Sequence, residues 1–269
     1  MHNELPSDHA AFLRRAMDVL RADARFVGLA VGGSYLDGTM DEWSDLDLVI
    51  AVEPDEFEQV MLDRREIASR MGTVLTSFTG EHVREPRLLI CLYEDPLLHV
   101  DLKFVRLPDL SSRVEDPAVL WERDGRMSDA LRVGTARFPQ PRPAWIDERI
   151  WVWVHYVAAK VGRGELFEAC ASLSFLREQV LGPMALAVEG KRPSGVRKIE
   201  QYVPDVVPRM RETLGTYDAA GCTAALRAAV ALYRELRPQL APLPAGPGAG
   251  EEAALAYLAR VEAAHRRTP

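Results

Sequence analysis

Three prolines within five residues, Pro139, Pro141 and Pro143, interrupt the chain just past its midpoint. Proline lacks a backbone N–H and has a fixed φ, so such a run continues neither a helix nor an interior strand. It reads as a stiff linker between two kinds of sequence. Before it, short apolar runs end in clusters of Gly, Pro and Asp, as strands do. After it, Ala, Leu, Glu and Arg fill long stretches that suit helices. The expected organisation is an α/β (α+β) chain, with a mixed-sheet domain over residues 1–138 and a helical bundle over residues 139–269.

The first half opens with a helix start at Pro6-Ser7-Asp8, after which Phe12, Ala16 and Leu20 share one face. Residues 26–31 form an apolar strand that runs into Gly32-Gly33, and residues 46–52 form a second strand. A helix follows Pro54 with Phe57, Val60, Met61, Ile67 and Met71 on its apolar side, and Gly72 is placed to stop it. Residues 73–78, 87–93 and 98–105 are further strands, the last two joined by a hairpin at Glu94-Asp95-Pro96-Leu97. In the second half, helices are expected over residues 145–161, 165–181 and 219–236. A Pro/Gly/Ala tether over residues 238–250 then leads to a last helix over residues 251–267, acidic at its start and basic at its end.

Charge narrows the function classes. The net charge is −7 and no block of Lys or Arg occurs, which argues against holding nucleic acid by its phosphates. No apolar run approaches the roughly 20 residues of a membrane span. Met1-His2-Asn3-Glu4 lacks a charged-then-apolar leader, so a soluble, cytoplasmic protein is expected. Cys91, Cys170 and Cys222 are odd in number and widely spaced, and read as buried free thiols.

The chemistry concentrates in Gly32-Gly33-Ser34-Tyr35-Leu36-Asp37-Gly38-Thr39 and Ser44-Asp45-Leu46-Asp47-Leu48-Val49-Ile50. Side chains alternate along a strand, so Asp45 and Asp47 face one way while Leu46, Leu48 and Ile50 face the core. Two adjacent carboxylates repel, and a dication with a preference for hard oxygen ligands, such as Mg²⁺, relieves that repulsion. The glycine turn lets backbone approach a ligand, and its amides with the Ser34 hydroxyl suit phosphate oxygens. On residues 98–105 the acid Asp101 shares the polar face with His99 and Lys103, where it can complete the metal site or draw a proton from a hydroxyl.

Gly33-Ser34-x-x-x-Gly38 followed by Ser44-Asp45-x-Asp47-Leu48 resembles the signature of the DNA-polymerase-β-like nucleotidyltransferase superfamily. The two-domain size and helical second half look like its aminoglycoside and lincosamide members. The resemblance implies Mg²⁺, ATP or another NTP as co-substrate, and transfer of a nucleoside monophosphate to a small-molecule hydroxyl, an antibiotic-resistance activity. It matches Asp45 and Asp47 to the metal-binding pair, Asp101 to the third carboxylate, and Gly33 and Ser34 to the phosphate-holding turn. It also implies a helical-domain lysine at the triphosphate, for which Lys160 is the first candidate and Lys198 the second. Asp101 and a glutamate such as Glu148, Glu165 or Glu168 both stay open as the proton acceptor.

The same glutamates, early in the helical half, are expected to attract a cationic acceptor into the cleft between the sheet domain and the helical bundle. Monomer and homodimer are both compatible with the sequence. His155, inside Trp151-Val152-Trp153-Val154-His155-Tyr156, reads as a packed, hydrogen-bonded histidine, and Trp145, Trp151, Trp153 and Tyr156 as packing. Two other readings compete: adenylylation of a protein hydroxyl, and a nucleotide-binding module that has lost catalysis.

Overall fold

A computed structural model describes residues 5–242 and 248–266. The first four residues, part of the expected tether and Arg267 lie outside the described residues. The chain divides into two compact units, Met1–Phe138 and Pro139–Pro269.

The first unit is built on strands β1 (Phe26–Val31), β2 (Leu46–Val52), β3 (Val74–Gly80), β4 (Glu85–Tyr93), β5 (Leu98–Arg106) and β6 (Ala118–Glu122). They form one sheet in the order β3-β4-β5-β2-β1-β6, with β2 and β5 parallel and every other neighbouring pair antiparallel. Helices α1 (Ser7–Arg21) and α2 (Phe57–Met71) bring Phe12, Leu20, Val60 and Ile67 into one core with Leu48, Ile50, Val100, Leu102 and Phe104. Burial alternates along β2 and β5 as the sequence pattern predicts: Leu46 and Leu48 are buried and Asp47 half-buried, Val100 and Leu102 buried and Asp101 half-buried. The opposite face has a smaller core of Ala30, Ala51, Val105, Leu110 and Met127, supplied in part by α3 (Arg126–Arg132) and a 3-10 turn, Leu107–Ser111. That second core covers only part of the face. The rest carries Asp47, Asp101 and Lys103, all lining an open cavity.

The second unit contains α4 (Pro143–Asp147), α5 (Ile150–Gly162), α6 (Leu166–Leu176), α7 (Gly182–Val188), α8 (Ile199–Tyr202), α9 (Val207–Glu212), α10 (Ala219–Leu240) and α11 (Ala249–His265). Their shared core includes Val154, Val161, Leu173, Met184, Leu226 and Leu258. The single helix expected over residues 145–161 is two, α4 and α5, and the break falls beside Asp147. Arg237 grips that carboxylate with two bonds of 2.6 Å, and Tyr233 donates to it at 2.6 Å. The guanidinium holds Asp147 charged, below the usual carboxylate range. The helix expected to end at Leu181 continues through a widened π turn, Arg177–Leu181, into α7. Such a turn leaves room for Pro183, which donates no helix bond.

Two further expectations change. The tether does not begin at Pro238, because α10 runs to Leu240. There Arg237, almost fully buried, donates to the carbonyls of Ala241 and Pro242 and so holds the chain that leaves the helix. His155 is exposed against the Tyr257 ring, with centroids 4.3 Å apart, and is not packed inside. At roughly 100° per residue it points away from the buried Val154–Val157–Val161 side, a distinction that so apolar a stretch hides. The three thiols are free as expected, although folding brings Cys170 and Cys222 to 3.7 Å and leaves Cys170 only half-buried. No helix among the described residues is long and apolar enough to cross a membrane.

Candidate active site

The glycine turn closes β1. Gly32 N–H donates to the Asp47 carbonyl at 2.8 Å, which fastens the turn to β2. A 3-10 turn, Gly33–Tyr35, follows. Gly33 has φ +59°, and a Cβ there would stand 2.0 Å from Asp47 Oδ2. Glycine is therefore required twice, for the left-handed backbone and for the carboxylate pressed against it. Ser34 Oγ is buried and has no hydrogen-bond partner among the described residues. A buried hydroxyl without a bond is costly unless a ligand completes it.

Asp47 and Asp101 are in register on the parallel strands β2 and β5. Adjacent strands lie roughly 5 Å apart, so the two side chains stand side by side on the open face. Asp45 precedes β2 by one residue and has the same parity as Asp47. His9 of α1, itself buried, donates from Nε2 to the Ser44 carbonyl at 2.7 Å and fixes the approach to Asp45. His99 Nε2 lies 3.0 Å from Asp101 Oδ1. Among the described residues no three His, Cys, Asp or Glu side chains already form a metal cluster. The donor set still fits a hard dication: oxygen-only, anionic, and backed by an unpartnered Ser34 hydroxyl.

Asp47 and Asp101 line a cavity with a volume of about 220 Å³, whereas Asp45 is not among its lining residues. Its floor includes Lys103, which pairs with Glu85 at 2.8 Å, while Arg87 grips the same carboxylate at 2.7 Å. Arg87, with Lys103 assisting and burial opposing, lowers Glu85 to about 2. One wall is Glu115, whose Oε1 accepts from Gly33 N–H at 3.3 Å. Sequence reasoning missed both Glu115 and His9. Glu115 belongs to an irregular segment 82 residues from Gly33, and nothing in its local pattern signals proximity.

Lys160 belongs to the second unit, where its ammonium contacts Glu165 at 2.7 Å and Glu168 at 2.9 Å. Those carboxylates, Glu165 first, hold it charged. The acids expected to form a bare anionic wall are thus partly neutralised, and Glu148 pairs with Arg149 at 2.7 Å. Lys198 takes a left-handed backbone, φ +53°, just ahead of α8.

No curated protein matches the chain. Among solved structures it is similar to an aminoglycoside 6-adenyltransferase from Bacillus subtilis, with 15% identity, TM-score 0.39, and coverage of 95% of this chain and 97% of that one. It is also similar to a nucleotidyltransferase-like protein from Exiguobacterium sibiricum 255-15, with 12% identity, TM-score 0.30, and coverage of 98% and 81% respectively. Residues 13–103 match the family described as the nucleotidyltransferase domain. That match runs through the glycine turn, β2 and the Asp101 strand, so the first unit carries a nucleotidyltransferase domain.

Proposed function

We propose that this nucleotidyltransferase moves AMP from ATP to a hydroxyl of a small cationic molecule, an aminoglycoside being the leading acceptor class. The observation that carries the reading is the in-register pair Asp47 and Asp101 beside the Gly33 turn, with the Ser34 hydroxyl buried and unpartnered. Asp45, Asp47 and Asp101 would hold Mg²⁺, which supplies charge neutralisation and alignment of the triphosphate. Gly33 N–H and Ser34 Oγ donate to phosphate oxygens. Asp101 takes the proton from the acceptor hydroxyl as its oxygen bonds to the α-phosphorus and pyrophosphate leaves.

The charge around the cavity supports a cationic acceptor. Asp47, Glu85, Asp101, Asp109 and Glu115 line it with Arg87, Lys103 and Arg113, so acids outnumber bases. A polycation is drawn to such a surface and a second polyanion is repelled. The test is a screen with labelled ATP, Mg²⁺ and a panel of aminoglycosides and lincosamides. Label should reach an aminoglycoside with release of pyrophosphate, and the acceptor KM should rise with ionic strength. A neutral true acceptor with a salt-independent KM would overturn the charge argument and move the assignment to a lincosamide-like substrate.

A further inference from the structure

We propose that Glu115 gates the nucleotide site: its carboxylate occupies the Gly33 amide of the glycine turn in the free protein and yields it to a phosphate whose charge a divalent cation has offset. The proposal rests on the reading of that turn as the triphosphate cradle.

Three observations place Glu115 there. Its Oε1 accepts from Gly33 N–H at 3.3 Å. A Cβ built on Gly32 would meet the same oxygen at 2.7 Å and the Asp47 Cβ at 3.7 Å, so Glu115 and Asp47 flank one small space. Its loop, between the Leu107–Ser111 turn and β6, is fastened on both sides of Glu115. Arg113, mostly buried, donates to the Leu110 carbonyl at 3.2 Å, the Gly134 carbonyl at 2.9 Å and Asp116 Oδ1 at 2.6 Å. Arg137 N–H closes the clamp on the Arg113 carbonyl at 2.9 Å. The run Arg113-Val114-Glu115-Asp116-Pro117 thus reads as a clamp that aims one carboxylate at the glycine turn.

A purely structural role would be to satisfy the Gly33 amide. A neutral oxygen would do that too, whereas the carboxylate brings a negative charge to the amide beside Asp47. A carboxylate oxygen and a phosphate oxygen compete for the same N–H, and at contact distances their repulsion is enough to change affinity by an order of magnitude. Bare polyanions are therefore turned away from the free cradle. A cation held by Asp47 offsets the phosphate charge and lets Glu115 leave the amide.

Calorimetric titration of the full chain tests this, using ATP and inorganic tripolyphosphate, each with EDTA and with Mg²⁺. Glu115→Gln should bind metal-free tripolyphosphate about tenfold more tightly than wild type, while MgATP affinity changes much less. Glu115→Ala should show the same gain, and Glu115→Asp, which keeps the charge, should stay close to wild type. A gain in affinity cannot come from a misfolded variant. Equal metal-free affinities in wild type, Glu115→Gln and Glu115→Ala, or weaker binding in both neutral variants, overturn the gate while leaving the nucleotide reading intact. A wild-type chain that binds neither MgATP nor tripolyphosphate overturns the nucleotide reading and the gate with it.

Discussion

The two faces of the sheet are made from alternate residues of the same strands and do opposite work. Toward α1 and α2, Leu46, Leu48, Val100 and Leu102 are sealed from solvent. One residue away, Asp47 and Asp101 look into an open cavity. The sealed face holds the reactive one in place. Each fully buried aliphatic side chain contributes roughly 1.5–3 kcal/mol, and that packing keeps neighbouring carboxylates in positions that their mutual repulsion opposes. The reactive face is consequently expensive to form and the sealed face stabilises it, so substitutions on one strand should separate into those that remove activity and those that remove stability.

The largest effect should come from Asp47→Asn. If Asp47 holds Mg²⁺ as proposed, its loss should lower turnover at saturating Mg²⁺ by about 10³-fold or more. The melting temperature without metal should hold or rise, because one of two neighbouring like charges is gone. Near-normal turnover would break the assignment. Next in size is Leu48→Ala, one residue along on the sealed face. It should cost about 3 kcal/mol in urea unfolding, yet leave far more turnover than Asp47→Asn when assayed well below the transition. If both variants lost activity and stability in parallel, the division between the faces would be wrong.

Two glycines sharpen the comparison within the turn. Gly33 and Gly38 both have positive φ, +59° and +63°. A methyl at Gly33 runs into Asp47 Oδ2, whereas nothing lies within 4 Å of one at Gly38. Gly33→Ala should cost about 2 kcal/mol and raise the KM for MgATP by displacing Asp47. Gly38→Ala carries the backbone strain without the collision, so its cost should be about 1 kcal/mol with a much smaller change in KM. Melting curves and steady-state kinetics on the pair decide it.

The sheet and the site were legible in the sequence to different depths. The alternation Leu46-Asp47-Leu48 and Val100-Asp101-Leu102 is strong because one face is buried and the other wet, and it placed both acids correctly on β2 and β5. Strand β6 escaped notice because all five of its residues are half-buried, which leaves no period of two to read. Helix α3, seven residues long, is too short for its 3.6-residue period to repeat, and α8 and α9 are shorter still. Glu115 reaches Gly33 only through tertiary folding, so no local pattern could reveal it. In the helical unit, ends were misplaced where long-range partners decide them, as Asp147 and Arg237 do.

The smallest effect tests the floor of the reactive face. Glu85 bridges Lys103 and Arg87 there, and its carboxyl is lowered to about 2 from 4.5, chiefly by the Arg87 hydrogen bond. An acid with a lower pKa folded than unfolded binds its proton more readily in the unfolded chain. Its stabilisation is therefore present above the unfolded value and is lost as pH falls toward the folded one. Partial exposure screens the pair, so about 1–2 kcal/mol is a reasonable size near neutrality. Glu85→Gln should unfold at lower urea than wild type at pH of about 6, and the gap should narrow as pH falls below about 4.5 and close toward about 2, where folded wild type protonates the same group. The floor lies on the cavity side, two residues along β5 from Asp101, so the substitution should also alter acceptor KM more than the affinity for MgATP. A gap that stays constant from pH of about 6 to about 3 would mean that Glu85 acts by packing and shape, and that the charged floor contributes nothing to holding this face together.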